Sequence, residues 1–158
     1  MKKLIIYYSL DGNTRLIAQT IAKGIGADIH EIKTEKDIGN GAMKYLWGGS
    51  QVYMKKLPKL KPSDVNPNDY DFIFMGTPVW AWTSAPPMNS YLSQYKIMGK
   101  KIALFCSNDG NKGKTFQKMR EYLDGNEILG EFETLSPLKQ DREESVGKAV
   151  SWARSLVK

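Results

Sequence analysis

Short apolar segments alternate with helical stripes along this chain, and this alternation constrains the fold most. The segments 3–8, 70–76 ("YDFIFMG") and 101–106 ("KIALFC") are almost continuously apolar, which is typical of buried parallel strands. The segments 27–32 and 127–135 are more polar and suit the two edges of a sheet. The sequence therefore predicts five strands, of which three lie in the interior.

Apolar residues recur at helical spacing between and after these strands. The stripes are Ile17, Ile21 and Ile25; Met88, Tyr91, Leu92 and Tyr95; Phe116, Met119 and Leu123; and Val146, Ala149, Val150, Ala153 and Val157. Because strand and helix alternate five times, we expect a doubly wound α/β fold, with one parallel sheet covered on both faces. We expect residues 1–158 to form one domain, with its ligand at the carboxyl ends of the strands.

Charge and composition argue against some classes of function. No apolar run of the 158 residues approaches the roughly 20 that a membrane span needs, so we expect no membrane insertion. The single cysteine, Cys106, cannot form an internal disulfide and suggests a cytoplasmic protein. The net charge is +6, but the lysines are spread along the chain, so we expect no nucleic acid as partner and a preference for anionic ones.

The first candidate loop is "SLDGNT", which joins the first strand to the first helix. It consists of Ser9, Leu10, Asp11, Gly12, Asn13 and Thr14. Hydroxyl groups, a glycine and the free N–H groups of a helix's first turn are suited to hold a phosphate. A plain helix cap is the alternative, but capping needs one such residue and five of these six are suitable.

The second candidate loop follows the third strand and is rich in tryptophan. It contains Thr77, Pro78, Val79, Trp80, Ala81 and Trp82 and carries no charged residue. Exposed indoles at the carboxyl edge of a sheet offer a flat surface to a flat ring. Alternatively, one of the two tryptophans belongs to the core.

The third candidate loop, "CSNDGNKGKT", follows the fourth strand. Ser107, Asn108, Asp109 and Gly110 favour turns and present backbone groups that could bond the polar edge of a heterocycle. The segment also nearly matches the phosphate loop of nucleotide hydrolases, G-x-x-x-x-G-K-[ST], although Asn108 stands where that motif needs its first glycine. A nucleotide-binding protein of that kind is therefore an alternative function, and a less favoured one.

A phosphate on the first loop and a planar ring between the other two together indicate flavin mononucleotide (FMN). The chain also resembles the flavodoxin family from end to end, in its short form. Ser9, Gly12, Asn13 and Thr14 stand where that family has its phosphate loop S/T-x-x-G-x-T, and "GTPVW…APP" is similar to small bacterial members. The resemblance implies the strand order 2-1-3-4-5, a three-layer sandwich and redox chemistry on non-covalently bound FMN.

Two functions are consistent with this resemblance. The first is an electron carrier between redox partner proteins. The second is an FMN-dependent NAD(P)H:quinone oxidoreductase, or a reductase of another small acceptor, for which a helix around 42–57 and its aromatic residues could roof a pocket. We favour the carrier, as a monomer or homodimer, because the chain is short for a nicotinamide site. No catalytic side chain or metal cluster stands out, and we interpret His30 and Cys106 as structural.

Two features distinguish this chain from acidic flavodoxins. Lys112 and Lys114 flank the third loop, so we expect the fully reduced, anionic flavin to form at a less negative potential than in acidic relatives. Ala81 is the nearest counterpart of a glycine that many members have beside the ring. A residue other than glycine pays about 1 kcal/mol or more to adopt a positive φ there.

Overall fold

The computed structural model of the protein describes residues 1–36 and 57–158. Its strands are β1 (Lys3–Tyr7), β2 (Asp28–Glu31), β3 (Phe72–Trp80), β4 (Thr83–Ser84), β5 (Lys101–Asn108) and β6 (Glu127–Leu135). Its helices are α1 (Asn13–Ile25), α2 (Pro86–Gln94), α3 (Thr115–Tyr122) and α4 (Arg142–Leu156). A single 3₁₀ turn, Pro67–Asp69, precedes β3.

The long strands form one parallel sheet in the order β2-β1-β3-β5-β6. This is the predicted order 2-1-3-4-5, and it confirms the doubly wound architecture. The short strand β4 pairs antiparallel with the end of β3 and was not predicted. The prediction ended the third strand at Gly76, whereas β3 continues to Trp80 and turns back as a hairpin, so four of the six residues of the predicted second loop are strand.

Successive residues of each central strand point to opposite faces of the sheet and build two cores. On one face, Ile5 and Phe74 pack against α1 and α4. On the other face, Ile6 and Met75 pack against α2 and α3. Because both faces are covered, the central positions of the interior strands are apolar on both sides, which explains why their sequences do not alternate.

The ends of the helices follow from their sequences. Gly26 ends α1 at a φ of 62°, where its N–H donates to the carbonyl of Ala22. The pair Pro86-Pro87 begins α2, where a missing N–H removes no helical hydrogen bond.

The helix predicted around 42–57, and the aromatic residues expected to roof a pocket, lie almost entirely outside the described residues. Within residues 1–36 and 57–158, no helix combines the length and apolarity that a membrane crossing requires.

Candidate functional site

The carboxyl ends of β1, β3 and β5 are neighbours in the sheet, so the three predicted loops meet at one edge. A cavity of about 40 Å³ lies where they converge. Its lining comprises Asp11, Asn13, Pro78, Val79, Trp80, Ser107, Asn108, Asp109 and Ser136. The structure thus brings together residues from all three loops, and it adds Ser136 from the segment after β6.

Hydrogen bonds to a side chain of the first loop itself fix the conformation of this loop. The Oγ of Ser9 accepts hydrogen bonds from the backbone N–H groups of Gly12 and Arg15, both at 3.2 Å. Gly12 adopts a φ of 97°, and a Cβ there would lie 3.2 Å from the side chain of Leu138. Glycine is therefore favoured at this position chiefly for its backbone conformation, because the exposed side chain of Leu138 needs to give way by only a few tenths of an ångström.

The loop also carries free hydrogen-bond donors. In the described part of the chain, the backbone N–H groups of Asp11 and Thr14 find no acceptor. Such donors at the start of a helix attract anions. The Oγ1 of Thr14 lies 2.7 Å from the Oγ of Ser107, so the first and third loops are joined by a buried hydrogen bond.

Two residues of the first loop have mainly local roles. Leu10 is half-buried and its side chain packs against the core, so only its backbone is available to a ligand of the loop. Asn13 is buried, and its Oδ1 accepts the N–H of Leu138 at 3.0 Å. This bond fixes the segment after β6 against the first loop.

The second predicted loop is a tight hairpin in which the two tryptophans have different surroundings. Trp80 is half-buried and packs edge-on against Tyr8, with 5.6 Å between ring centroids. Trp82 is 68% exposed. Thr77, fully buried, holds the hairpin's base, since its Oγ1 accepts the N–H of Ala85 at 3.1 Å.

The two residues at the tip of this hairpin are strained. Ala81 has a φ of 48° and Trp82 a φ of 61°, as a two-residue type I′ turn requires. Such turns prefer Asn-Gly or Gly-Gly, so the pair Ala-Trp stores backbone strain here.

A backbone contact holds the strained turn against α3. The N–H of Lys114 donates to the carbonyl of Trp82 at 2.8 Å. A Cβ on Gly113 would lie 2.3 Å from that same carbonyl oxygen, so only glycine allows the contact. Beside it, a groove of about 410 Å³ runs between the turn and α3. The exposed face of Trp82 lines this groove.

The third loop forms an Asx turn and contacts Ser136, a residue that the sequence analysis missed. The N–H of Gly110 donates to the Oδ1 of Asn108 at 2.9 Å, and Gly110 itself is exposed. The N–H of Ser136 donates to the carbonyl of Asn108 at 2.9 Å, and its Oγ donates to the carboxylate of Asp109. The Ser-Pro pair directly after the edge strand was the signal in the sequence that could have suggested Ser136.

The two lysines beside the third loop differ in their pairing. Lys112 lies 3.6 Å from Glu133, which also accepts a hydrogen bond from Asn108 at 3.2 Å. Lys114, by contrast, has no carboxylate partner within the described ranges. The predicted positive charge beside the third loop is therefore carried mainly by Lys114.

A charged cluster lies just behind the first loop. Glu31 accepts the guanidinium of Arg15 at 2.5 Å and the ammonium of Lys33 at 2.9 Å. Burial alone would raise the pKa of Glu31, but these two hydrogen-bonded cations outweigh it and hold the pKa below its ordinary value. Burial, together with the negative charge of this carboxylate, raises the pKa of Tyr7.

His30 and Cys106 lie away from the cavity lining. Cys106 is fully buried, and burial raises the pKa of its thiol to about 12, which leaves it protonated and unreactive at neutral pH. His30 lies 5.8 Å from the ring of Tyr91, and burial lowers its pKa. Both positions are consistent with the predicted structural roles.

The loops fit the phosphate of FMN better than they fit its ring. The free N–H donors, the glycine at positive φ and the Ser9 and Thr14 hydroxyls are suited to a phosphate. A cavity of 40 Å³ is much smaller than the several hundred Å³ typical of ligand pockets. Within the described residues, a ring would therefore lie over the rim formed by the tryptophan hairpin and the third loop, or these two would move apart.

Comparison with known proteins agrees with this geometry. The flavodoxin family model matches residues 2–131. A flavodoxin-like domain-containing protein, BilS, from Clostridioides difficile is 33% identical over an alignment of 138 residues, and the match covers 84% of this chain. The match spans 64% of that relative, so this chain corresponds to less than two thirds of its length.

Two solved structures are similar over most of the chain. A flavoprotein from Lactobacillus acidophilus, solved in complex with FMN, is 26% identical, with a TM-score of 0.73 over 89% of this chain and 97% of its own. A flavoprotein structure from Bacteroides eggerthii gives a TM-score of 0.80 at 18% identity, covering 99% of this chain and 98% of its own. The chain belongs to the flavodoxin family, as its phosphate-loop sequence predicts.

Proposed function

We propose that residues 1–158 act as one FMN-binding domain that carries electrons between redox partners. The cofactor is FMN, in agreement with the family match and with the FMN complex of the Lactobacillus acidophilus flavoprotein. The observation that supports this most is the convergence of three loops, one with free N–H donors and one with an exposed indole, at the carboxyl edge of the sheet.

Different loops of the chain would bind the phosphate and the ring of FMN. The N–H groups of Asp11 and Thr14 would hold the phosphate, with the hydroxyls of Ser9 and Thr14 at its sides. Trp80 and Trp82 would flank the ring, and the backbone of Asn108–Gly110 would bond its polar edge. When bound, FMN supplies one- and two-electron redox chemistry, which the protein tunes by hydrogen bonds and nearby charge.

Exposure of the ring-binding rim favours a carrier over a reductase. Trp82, on this rim, is 68% exposed, and the adjoining groove is open toward α3. A carrier needs an accessible ring edge for a partner, whereas a reductase needs a second pocket for a nicotinamide. NAD(P)H-dependent reduction of a quinone or another small acceptor is the alternative function.

The nucleotide-hydrolase alternative has less support. The hydroxyl of Thr115, which would have to contact a magnesium ion in that motif, donates instead to the carbonyl of Lys112 at 2.7 Å. Gly113, which stands at the second glycine of that motif, packs against the backbone carbonyl of Trp82.

The first test is an absorption spectrum after incubation with FMN and gel filtration. We expect flavin bands that co-elute with the protein. Anaerobic addition of NADPH or NADH alone should leave these bands unchanged, while dithionite should bleach them. Rapid bleaching by either nicotinamide would support the reductase instead, and a colourless protein would contradict both flavin functions.

The phosphate loop is tested by a pair of glycine variants on one helix. Gly12 and Gly26 flank α1, and both have positive φ, at 97° and 62°. Either change to alanine should cost about 1 kcal/mol of stability. Only Gly12→Ala should also weaken FMN binding, because Gly26 is at the far end of the helix with nothing within 4 Å of its would-be Cβ. Equal affinities in the two variants would argue against the first loop as the phosphate site.

A further inference from the structure

The first loop contains a carboxylate in the place where an anion is expected to bind. The Oδ1 of Asp11 accepts the backbone N–H of Asn13 at 3.3 Å. Asn13 is the first residue of α1, so this N–H is one of the donors that a helix offers to an anion. Asp11 and Asn13 also line the cavity between the three loops.

Among residues 1–36 and 57–158, no lysine or arginine forms an ion pair with this carboxylate. Asp109, from the third loop, lines the same cavity and adds a second negative charge. Arg15 lies on the first turn of α1, but its guanidinium is paired with Glu31 and not with Asp11. A phosphate dianion entering the loop would therefore meet repulsion from two carboxylates as well as attraction from the N–H donors.

We propose that the carboxylate of Asp11 competes with the cofactor's phosphate for the N–H donors of the first loop, and so weakens the preference for FMN over riboflavin. This inference rests on the proposed binding of FMN. When the phosphate enters, Asp11 releases the N–H of Asn13 and turns toward solvent, where it is already largely exposed. FMN is then held less tightly than the number of loop donors suggests, which favours its exchange.

The experiment measures the dissociation constants of FMN and riboflavin for the wild-type protein and for Asp11→Asn. The amide keeps the size of the side chain and an oxygen acceptor for Asn13 but removes the charge. Intact mass must confirm the amide, since an Asn-Gly pair can revert to aspartate. Asp69→Asn is the matched control, because Asp69 is exposed and precedes β3 at the opposite end of the sheet.

We expect Asp11→Asn to tighten FMN binding by about tenfold and to leave riboflavin binding unchanged, because only FMN carries the phosphate. Asp69→Asn should change neither constant. An FMN affinity that stays the same or falls in Asp11→Asn would overturn the inference, as would an equal gain for riboflavin. If no variant binds either flavin, the proposed function fails together with the inference.

A second readout needs no flavin. Inorganic phosphate should raise the thermal unfolding temperature of apo Asp11→Asn more than that of the wild-type apoprotein at matched ionic strength. Equal shifts in the two proteins would contradict competition by Asp11, even if both bind FMN.

Discussion

At the scale of single residues, close approaches of the backbone decide where glycine is required. Gly76 lies in β3, and its N-terminal neighbours are buried on both faces of the sheet. A Cβ on Gly76 would lie 2.1 Å from the ring of Phe105 on β5, and the Gly76 carbonyl accepts the N–H of Tyr8 at 3.1 Å. The same glycine thus accommodates an aromatic ring and anchors the chain just before the first loop.

We expect Gly76→Ala to destabilise the protein by about 3 kcal/mol, because the rigid ring of Phe105 has to move within a packed core. Gly147→Ala is the matched control. Gly147 is exposed inside α4 with nothing near its would-be Cβ, so alanine there should stabilise the protein by about 0.5–1 kcal/mol. Urea denaturation measures both, and a neutral Gly76→Ala would show that the ring of Phe105 yields easily.

At the scale of secondary-structure elements, the β3–β4 hairpin combines strain with support. Its two turn residues have positive φ without being glycine, and the end of the third loop, just before α3, supports the turn through the Lys114–Trp82 hydrogen bond. The expectation that Ala81 would pay for a positive φ matches its φ of 48°. Strain of this kind persists only where the surroundings hold it, and here the surroundings are the third loop.

Ala81→Gly should therefore raise the free energy of unfolding by about 0.5–1 kcal/mol, because glycine adopts this φ without steric cost. Ala85→Gly, at a φ of −64°, should instead lower it, since no strain is relieved there, a fully buried methyl group is lost and flexibility is added to the unfolded chain. Thermal or urea unfolding compares the two variants. A loss of stability in Ala81→Gly would mean that the positive φ carries little strain.

The contact between α1 and β2 gives the stability a pH dependence. The pKa of Glu31 is lowered in the folded protein, so its contribution is present above the pKa of the unfolded chain and is lost as the pH falls through the folded value. Glu31→Gln should therefore be less stable than the wild type at neutral pH, and this difference should shrink in acid. Glu35→Gln is the control, since Glu35 is exposed and its carboxylate has no cation partner in the described ranges. A difference that persists at acid pH would exclude the ion pairs as its cause.

At the scale of the whole molecule, the effect of the net charge of +6 on the site depends on which of the nearby lysines is paired with a carboxylate. Lys112 is paired with Glu133, whereas Lys114 lies beside Trp82 without a carboxylate partner in the described part of the protein. The predicted ease of forming the anionic reduced flavin therefore depends mostly on one residue. Positive charge at this rim also favours acidic redox partners by attraction at long range.

We expect Lys114→Gln to make the potential of the bound flavin's full reduction more negative, on the order of 20 mV. Lys23→Gln removes an equal charge from the last turn of α1, far from the site, and should leave the potential unchanged. A spectroscopic redox titration at low ionic strength measures both. Equal shifts in the two variants would attribute the effect to net charge alone.

Much of the fold and of the site was predictable from local sequence. The apolar runs predicted that β1, β3 and β5 are interior strands, and the "SLDGNT" loop lies at the start of α1, as predicted. Ser136 was missed because it is brought to the third loop only by the pairing of β6 with β5. The β3–β4 hairpin was missed because its turn contains no glycine or asparagine, the residues by which such turns are recognised.

The sequence by itself determined the fold class and the membership of the flavodoxin family and predicted the "SLDGNT" loop as the phosphate site, since each depends on residues that are close in the chain. Only the tertiary structure decided which tryptophan is exposed, which lysine is left unpaired and which donors of the first loop remain free. These properties depend on contacts between segments distant in sequence, such as Gly113 with Trp82 or Arg15 with Glu31. Local patterns carry no information about such pairings, because packing between elements selects them.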